Sequence, residues 1–382
     1  MANIFQSMQA WFSPVKHIRP GMYHYISPPE DTRNYRLHLR VEPDGSGILI
    51  VNASTILHLN QTATEHAYYI VKNILPDQAA HNFASRYHVS KEQAKTDYEN
   101  LIDRIQILVN TPDLDPETFL DFDRKEAHSG PISAPYRLDC ALTYRLPDGV
   151  NPDAAPTDRV RQELTTAQWF QILDRAASVG IPHVIFTGGE PTLRPDLDEL
   201  IAHAEANDQV TGLISNGLRF NDANYLNQIL QKGLDHLMIV FDLEQSQAWT
   251  ALENLIAADI FLAVHFTITP ENYVQLHELL SRMVEMGVKA VSLSSNNPDL
   301  KEQLEAARNL VAAKHLELIW NLPVPYSAFN PVAVETKQWA EIPGAGRDWL
   351  YVEPDGDVLP TQGVNQVLGN IIQDDWGKIW KK

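Results

Sequence analysis

The chain has 382 residues, a formal net charge of −19, 44% hydrophobic residues and one cysteine. That length and composition suit a globular protein of two or three domains, and the acidic balance, with Lys and Arg scattered singly, argues against nucleic acid as a partner. One thiol excludes an intrachain disulfide. With no apolar run near the roughly 20 residues that cross a bilayer and no secretory start, no membrane span is expected and the expected location is cytoplasmic.

At the start, Ile4, Phe5, Met8, Trp11 and Phe12 share one face of a short predicted helix. That face could meet a membrane or partner, or pack on its own domain; the missing Lys and Arg on its polar side favour packing. From Tyr35, an alternating run, a Gly-rich turn at residues 42–47 and a β-rich run predict a hairpin. Helical patterns follow over residues 60–73, 78–87 and 91–108, the last opened by a Ser90 cap with Gln93 three residues on. Residues 111–134 are polar, acidic and Pro-rich and read as a linker.

Strands then alternate with helices. Strands are predicted near residues 136–144, 183–187, 209–215, 236–242, 261–268, 289–294 and 317–321, with helical stretches between them. This order implies parallel βαβ units with right-handed crossovers. A complete or partial barrel is preferred to an open sheet, and it would place function at the C-terminal strand ends. The last 60 residues break the alternation with a Pro-rich stretch and a hairpin-like segment at residues 349–359, read as a small appendage.

Directly after the second strand of this series comes Thr187-Gly188-Gly189-Glu190-Pro191-Thr192-Leu193-Arg194-Pro195. Two glycines there allow backbone to approach a ligand closely, and Glu190 can accept bonds from an ammonium group. A tight turn with a capping acid is an equal reading of the same residues. Ser215, Asn216 and Gly217 after the next strand, and Asp242 after the one beyond, put polar groups on the same rim, although Asn-Gly is also a plain turn signal.

Together, residues 135–321 resemble the radical S-adenosylmethionine (radical SAM) superfamily, whose barrel carries a Gly-Gly-Glu-Pro turn that binds the methionine amino group of the cofactor. The resemblance implies an α/β fold: a partial (β/α)6 TIM-like barrel at residues 135–322. It places S-adenosylmethionine at Gly188, Gly189, Glu190, Pro191, Ser215, Asn216 and Asp242. The family's first loop holds a [4Fe–4S] cluster on three cysteines spaced Cys-x3-Cys-x2-Cys, and the matching places here are Leu146, Val150 and Asp153. Leu and Val cannot ligate iron. A shifted register would use Cys140 as the middle ligand with Tyr136 and Thr143 beside it, which also lacks a thiolate triad. The 14 His show no His-x3-His or comparable spacing that would hold iron instead.

Residues 323–382 are similar to the SPASM/twitch-like extension of peptide-modifying relatives, with Pro343 and Thr361 where cysteines usually bind auxiliary clusters. Residues 13–110 resemble the PqqD-like winged-helix domain that recognises ribosomally made peptides, on Asp44-Gly-Ser-Gly-Ile-Leu-Ile-Val-Asn and Ile56-Leu-His-Leu-Asn-Gln-Thr-Ala. That likeness implies a leader peptide added as an extra strand; a DNA-binding winged helix is the competing reading, opposed by the charge.

Three functions follow from this resemblance. The first is a catalytically silent protein that binds a precursor peptide. The second is a scaffold that presents the peptide to an active radical SAM homologue. The third is an enzyme of reassigned, non-radical chemistry that still binds S-adenosylmethionine. The first two, taken as one class, are preferred, and neither a [4Fe–4S] cluster nor any other metal is expected.

Overall fold

A computed structural model describes residues 18–380 except 29, 112–113, 115, 117–119, 121, 123–127, 259, 321 and 336–341. The apolar face at residues 4–12 and parts of the expected linker lie outside the described residues. The chain divides into two compact units, residues 1–133 and 134–382.

The first unit is a four-stranded antiparallel sheet with three helices. Its strands β1 (Gly21–Ile26), β2 (Arg36–Val41), β3 (Gly47–Val51) and β4 (Thr55–Leu59) lie in chain order. The predicted hairpin is β2 and β3, with Leu39 opposite Leu49 and Val41 opposite Gly47. The outer strands β1 and β4 go beyond that prediction, since their short, partly polar runs carry little alternation. Asn60 caps α1 (Gln61–Val71) through a bond from Ala63 N, 2.9 Å, and α2 (Pro76–Arg86) follows. Ser90 caps α3 (Lys91–Asn110) through a bond from Gln93 N, 3.1 Å. Such caps satisfy helix-end N–H groups and stabilise by about 1 kcal/mol each. Leu37, Leu39, Leu49, Leu57, Ile105 and Leu108 form the core between sheet and helices.

The second unit is built on a ten-stranded sheet. Seven parallel strands run side by side in it: β5 (Arg137–Thr143), β6 (His183–Gly188), β7 (Val210–Ser215), β8 (His236–Val240), β9 (Phe261–Ile268), β10 (Ala290–Ser295) and β11 (Glu317–Leu318). Connecting them are α4 (Thr166–Val179), α5 (Leu197–Ala206), α6 (Ala223–Gln231), α7 (Ser246–Ile256), α8 (Leu276–Met286) and α9 (Lys301–Ala313). The short helix α10 (Val332–Glu335) follows the Pro-rich stretch. Beyond it come strands β12 (Trp349–Val352), β13 (Asp357–Leu359) and β14 (Gly369–Asn370), then a last short helix, α11 (Trp376–Ile379).

Alternation sorts the strand residues into two faces. Leu138, Val184, Leu213, Leu237, Val264 and Val291 join Trp169, Leu200, Leu252 and Leu280 of the helices in one large core. The inner face carries Ile185, Ile214, Met238, Val240, Ala263 and Ala290. The sheet stays open between β11 and β14, so the barrel is partial.

The C-terminal hairpin forms as predicted, with Tyr351 opposite Leu359 across an Asp355-Gly356 turn. Its position differs from a mere appendage. Strand β12 lies parallel to β5 and pairs Trp349 with Arg137 and Val352 with Cys140, so the extension continues the barrel sheet. Local sequence pattern does not encode a partner so far away in the chain.

Candidate functional site

The turn after β6 is shaped first by the chain itself. Gly188 has φ +128°, and a Cβ there would stand 2.2 Å from the Thr143 carbonyl oxygen. A Cβ on Gly189 would stand 2.3 Å from that of Arg145. The backbone that comes close is thus the run following β5, held by Gly189 N to Thr143 O at 2.8 Å and Glu190 N to Arg145 O at 2.9 Å. Replacing Gly188 with Ala is expected to cost about 3 kcal/mol, from backbone strain plus overpacking. Gly149→Ala, at φ +87° with nothing within 4 Å of the added carbon, should cost only about 1 kcal/mol. Urea unfolding of both variants beside the parent checks the difference, and equal losses would refute the close-approach account.

Glu190 is 3% exposed and caps the short turn Pro191–Leu193. Its Oε1 accepts from Thr192 N (3.0 Å), Thr192 Oγ1 (2.6 Å) and Ser215 Oγ (2.8 Å), and its Oε2 accepts from Asn216 N (2.7 Å). Burial raises its pKa above the usual carboxylate range, and these four bonds hold it back down in part. Ser215 Oγ accepts from Gly217 N at 3.0 Å, and Asn216 Oδ1 accepts from Leu218 N at 2.9 Å. Gly188, Gly189, Glu190, Pro191, Ser215 and Asn216 therefore form one connected constellation. Asp242 does not join it through any described contact; its Oδ1 accepts from Glu244 N at 3.0 Å and closes its own turn.

Arginines brace the constellation. Arg194 pairs with Asp196 at 2.7 Å and donates to the carbonyls of Leu142 and Leu164 at 3.2 Å each, tying the turn to β5 and to the start of α4. Arg219 lies over the Tyr225 ring, 3.9 Å from its centroid, and donates to the Thr192 carbonyl.

The places matched to cluster cysteines hold other chemistry. Leu146 is partly buried and packs against a cluster formed by Ala141, Tyr144, Ala155, Tyr326, Tyr351 and Leu359. Tyr326, 1% exposed, meets the Tyr144 ring edge-on at 5.4 Å and donates its backbone N–H to the Gly188 carbonyl at 3.0 Å. Tyr144 Oη donates to Glu353 at 2.7 Å, and Arg159 pairs with the same carboxylate. Asp153 is exposed, and its backbone N–H bonds Asn151 Oδ1 at 3.0 Å. Thr361 Oγ1 accepts from Trp349 Nε1 at 3.1 Å, and Pro343 is exposed. Cys140 is 0% exposed within β5, paired to Phe186 on one side and Val352 on the other, and its thiol pKa is pushed well up by burial. This overturns the shifted register, since a ligand loop cannot begin in mid-strand between two partners. A [4Fe–4S] cluster held on thiolates does not fit these residues, and no cluster of three His, Cys, Asp or Glu suited to a metal occurs among the described residues.

Sequence reasoning missed a polar group on the inner face. On β9, His265 and Thr267 share the face of Ala263. His265 Nδ1 lies 3.1 Å from Ser292 Oγ and Nε2 lies 3.0 Å from Ser294 Oγ, with Thr267 Oγ1 at 3.3 Å. The signal was available, as polar residues at inward positions of an apolar strand. At the other end of the strands, His183 and His236 bring their Nε2 atoms to 2.7 Å.

A partial α/β barrel whose second strand ends in this capped Gly-Gly-Glu-Pro turn is the radical SAM architecture. Residues 140–242 match the Radical SAM superfamily. The chain is 27% identical over 266 residues to the PqqA peptide cyclase of Granulibacter bethesdensis, covering 62% of this chain and 70% of that protein. In fold it is similar to Streptococcus suis SuiB bound to precursor peptide SuiA and to SuiB bound to S-adenosylmethionine. Each has a TM-score of 0.55 and 16% identity, over 94% of this chain and 88% of that one. No helix among the described residues is long and apolar enough to cross a membrane.

Proposed function

We propose that the chain is a cluster-less, radical-SAM-like protein of a ribosomal-peptide maturation system, which binds a precursor peptide and serves as a catalytically silent binding or partner subunit. The carrying observation is the packed, apolar and phenolic filling around Leu146 where a thiolate triad would stand. Without three convergent thiolates there is no open iron to drive reductive cleavage. The likeness to a PqqA peptide cyclase and to SuiB bound to SuiA supports a peptide as the partner. In this reading residues 13–110 are the PqqD-like recognition domain, residues 111–134 the linker, residues 135–322 the barrel, and residues 323–382 the SPASM/twitch-like extension without cluster ligands. An active radical SAM homologue is the natural second partner.

The intact Glu190 network favours one further reading, an enzyme of non-radical chemistry that retains S-adenosylmethionine. Glu190 Oε2, with a single described partner, is the acceptor left for an ammonium group, within Gly188, Gly189, Pro191, Ser215 and Asn216; Asp242 follows the next strand but one, after β8. Against it stands Val240 on the fourth barrel strand, in an apolar cluster where a small residue is usual, which removes a polar contact to that cofactor.

Two measurements on the full chain decide between them. Reconstitution with iron and sulfide should leave no stoichiometric cluster, whereas about four irons per chain would end the cluster-less reading. Calorimetric titration with millimolar S-adenosylmethionine should give no heat if the barrel is silent, and saturable heat without iron would establish the second reading.

A further inference from the structure

After β11 the chain runs Leu322-Pro-Val-Pro-Tyr-Ser-Ala-Phe-Asn-Pro-Val332, and its prolines at 323, 325 and 331 supply no N–H groups for a sheet. The run accordingly enters no strand or helix before Val332. It is tied down at a few points instead. Asn330 Nδ2 donates to the Val324 carbonyl at 2.7 Å and Asn330 N donates to Ser327 Oγ at 3.1 Å, which folds the run on itself. Gln362 Nε2 donates to the same Val324 carbonyl at 2.7 Å and moors the run to the C-terminal extension.

The middle of the run stands on the candidate site. Pro325 and Tyr326 are buried while their neighbours are not. Tyr326 N donates to the Gly188 carbonyl at 3.0 Å, and the Tyr326 ring belongs to the cluster of Ala141, Tyr144, Tyr351 and Leu359. The run thus sets a main-chain N–H and a ring against the turn that the family resemblance assigns to an ammonium group. One strand over, Thr187 pairs with Ala141 of that cluster; its side chain is fully buried, and Oγ1 has no hydrogen-bond partner among the described residues. A hydroxyl closed off in this way costs free energy that water or a polar ligand would recover on opening.

From this geometry we infer that residues 324–330 are a displaceable strap, which keeps the turn after β6 closed with the chain's own Tyr326, so that a small ligand bearing an ammonium group binds there only when the strap lifts. A tethered occupant competes at an effective concentration on the order of millimolar, and a strap shut about 99% of the time weakens the apparent affinity of such a ligand about a hundredfold. Lifting is within reach, because a segment outside helix and strand, held by few hydrogen bonds, opens at lower cost than the strands beneath it. This inference rests on the reading of the barrel as silent, and it adds that the closed strap is what silences the turn.

The test is a gain of binding, which a merely structural segment would not give. Full-length parent, Tyr326→Gly, Tyr326→Phe and the double variant Asn330→Ala with Gln362→Ala are titrated with S-adenosylmethionine to millimolar concentration by calorimetry, after circular dichroism has checked that each is folded. Tyr326→Gly removes the ring, whereas the double variant leaves Tyr326 in place and cuts two moorings of the strap, so a folding failure of one leaves the other to decide. The parent and Tyr326→Phe, which keeps ring and N–H, should give no saturable heat. Tyr326→Gly and the double variant should bind about one molecule per chain, with apparent affinity at least about tenfold above the parent's limit. Folded variants as silent as the parent overturn the strap and leave the silent reading in place. Saturable heat from the parent equal to that of the variants overturns both.

Discussion

Glu190→Ala should destabilise the barrel unit by about 3–5 kcal/mol, among the largest effects of any single substitution in it. The side chain is buried, and its removal strands the N–H groups of Thr192 and Asn216 and the hydroxyls of Thr192 and Ser215 together. Glu190→Gln keeps one acceptor oxygen but turns an NH2 toward donors, so its loss should be smaller, about 1–3 kcal/mol. Chemical denaturation monitored by tryptophan fluorescence checks both. A loss below about 1 kcal/mol for the alanine variant would mean that the constellation is not held by the carboxylate. The experiment matters for function because it measures how far the turn is preorganised without any ligand.

The second large effect is acid lability set by two buried histidines. Burial lowers the His236 pKa to about 4 and that of His265 to about 3. The geometry agrees. His236 shares a single hydrogen bond with His183, and protonating both rings would set N–H against N–H. Among the described residues, His265 bonds only hydroxyls, with no anion to balance a charge. The unfolded histidines take up protons near pH 6.5 and the folded ones do not, so the unfolded state binds more protons in between and stability falls as pH falls. From pH 6.5 to 5 each should cost about 2 kcal/mol. Asp139, Glu190, Glu353 and Asp355, whose pKa values burial raises, run the other way and stabilise the fold as pH falls through their range. They trim the effect toward the acid end. His265→Gln, which bonds hydroxyls without titrating, should remove about half of the slope between pH 6.5 and 5; an unchanged slope would place the lability elsewhere.

Much of this architecture is legible in the amino-acid order, because strand and helix periods are local properties. The alternation from Arg137 to Leu318, the Thr165 box with Gln168 that starts α4, and the Gly180 stop at φ +92° all act within a few residues. What escaped is non-local. Nothing near Trp349 announces that β12 will lie against β5, and nothing near Tyr326 announces that its ring will cover Tyr144. The glycine pair shows a subtler limit. Sequence reasoning expected Gly188 and Gly189 to let backbone approach a ligand, but the groups that approach them are the carbonyls of Thr143 and Arg145. Asp242 was placed on the right rim by strand order, while its own turn chemistry took its carboxylate.

The pairing of β12 with β5 also bears on how the protein is made. As the chain leaves the ribosome, the N-terminal unit and the βα series emerge in order, and each strand from β6 to β11 finds a neighbour already present. Strand β5 must wait roughly two hundred residues for its second partner, a separation that slows pairing. Until then one side of β5 is an unpaired edge beside an apolar face, the kind of surface that recruits other chains. The segment that carries β12 thus closes this edge, and a ribosome stalled before it would release a barrel with an adhesive side.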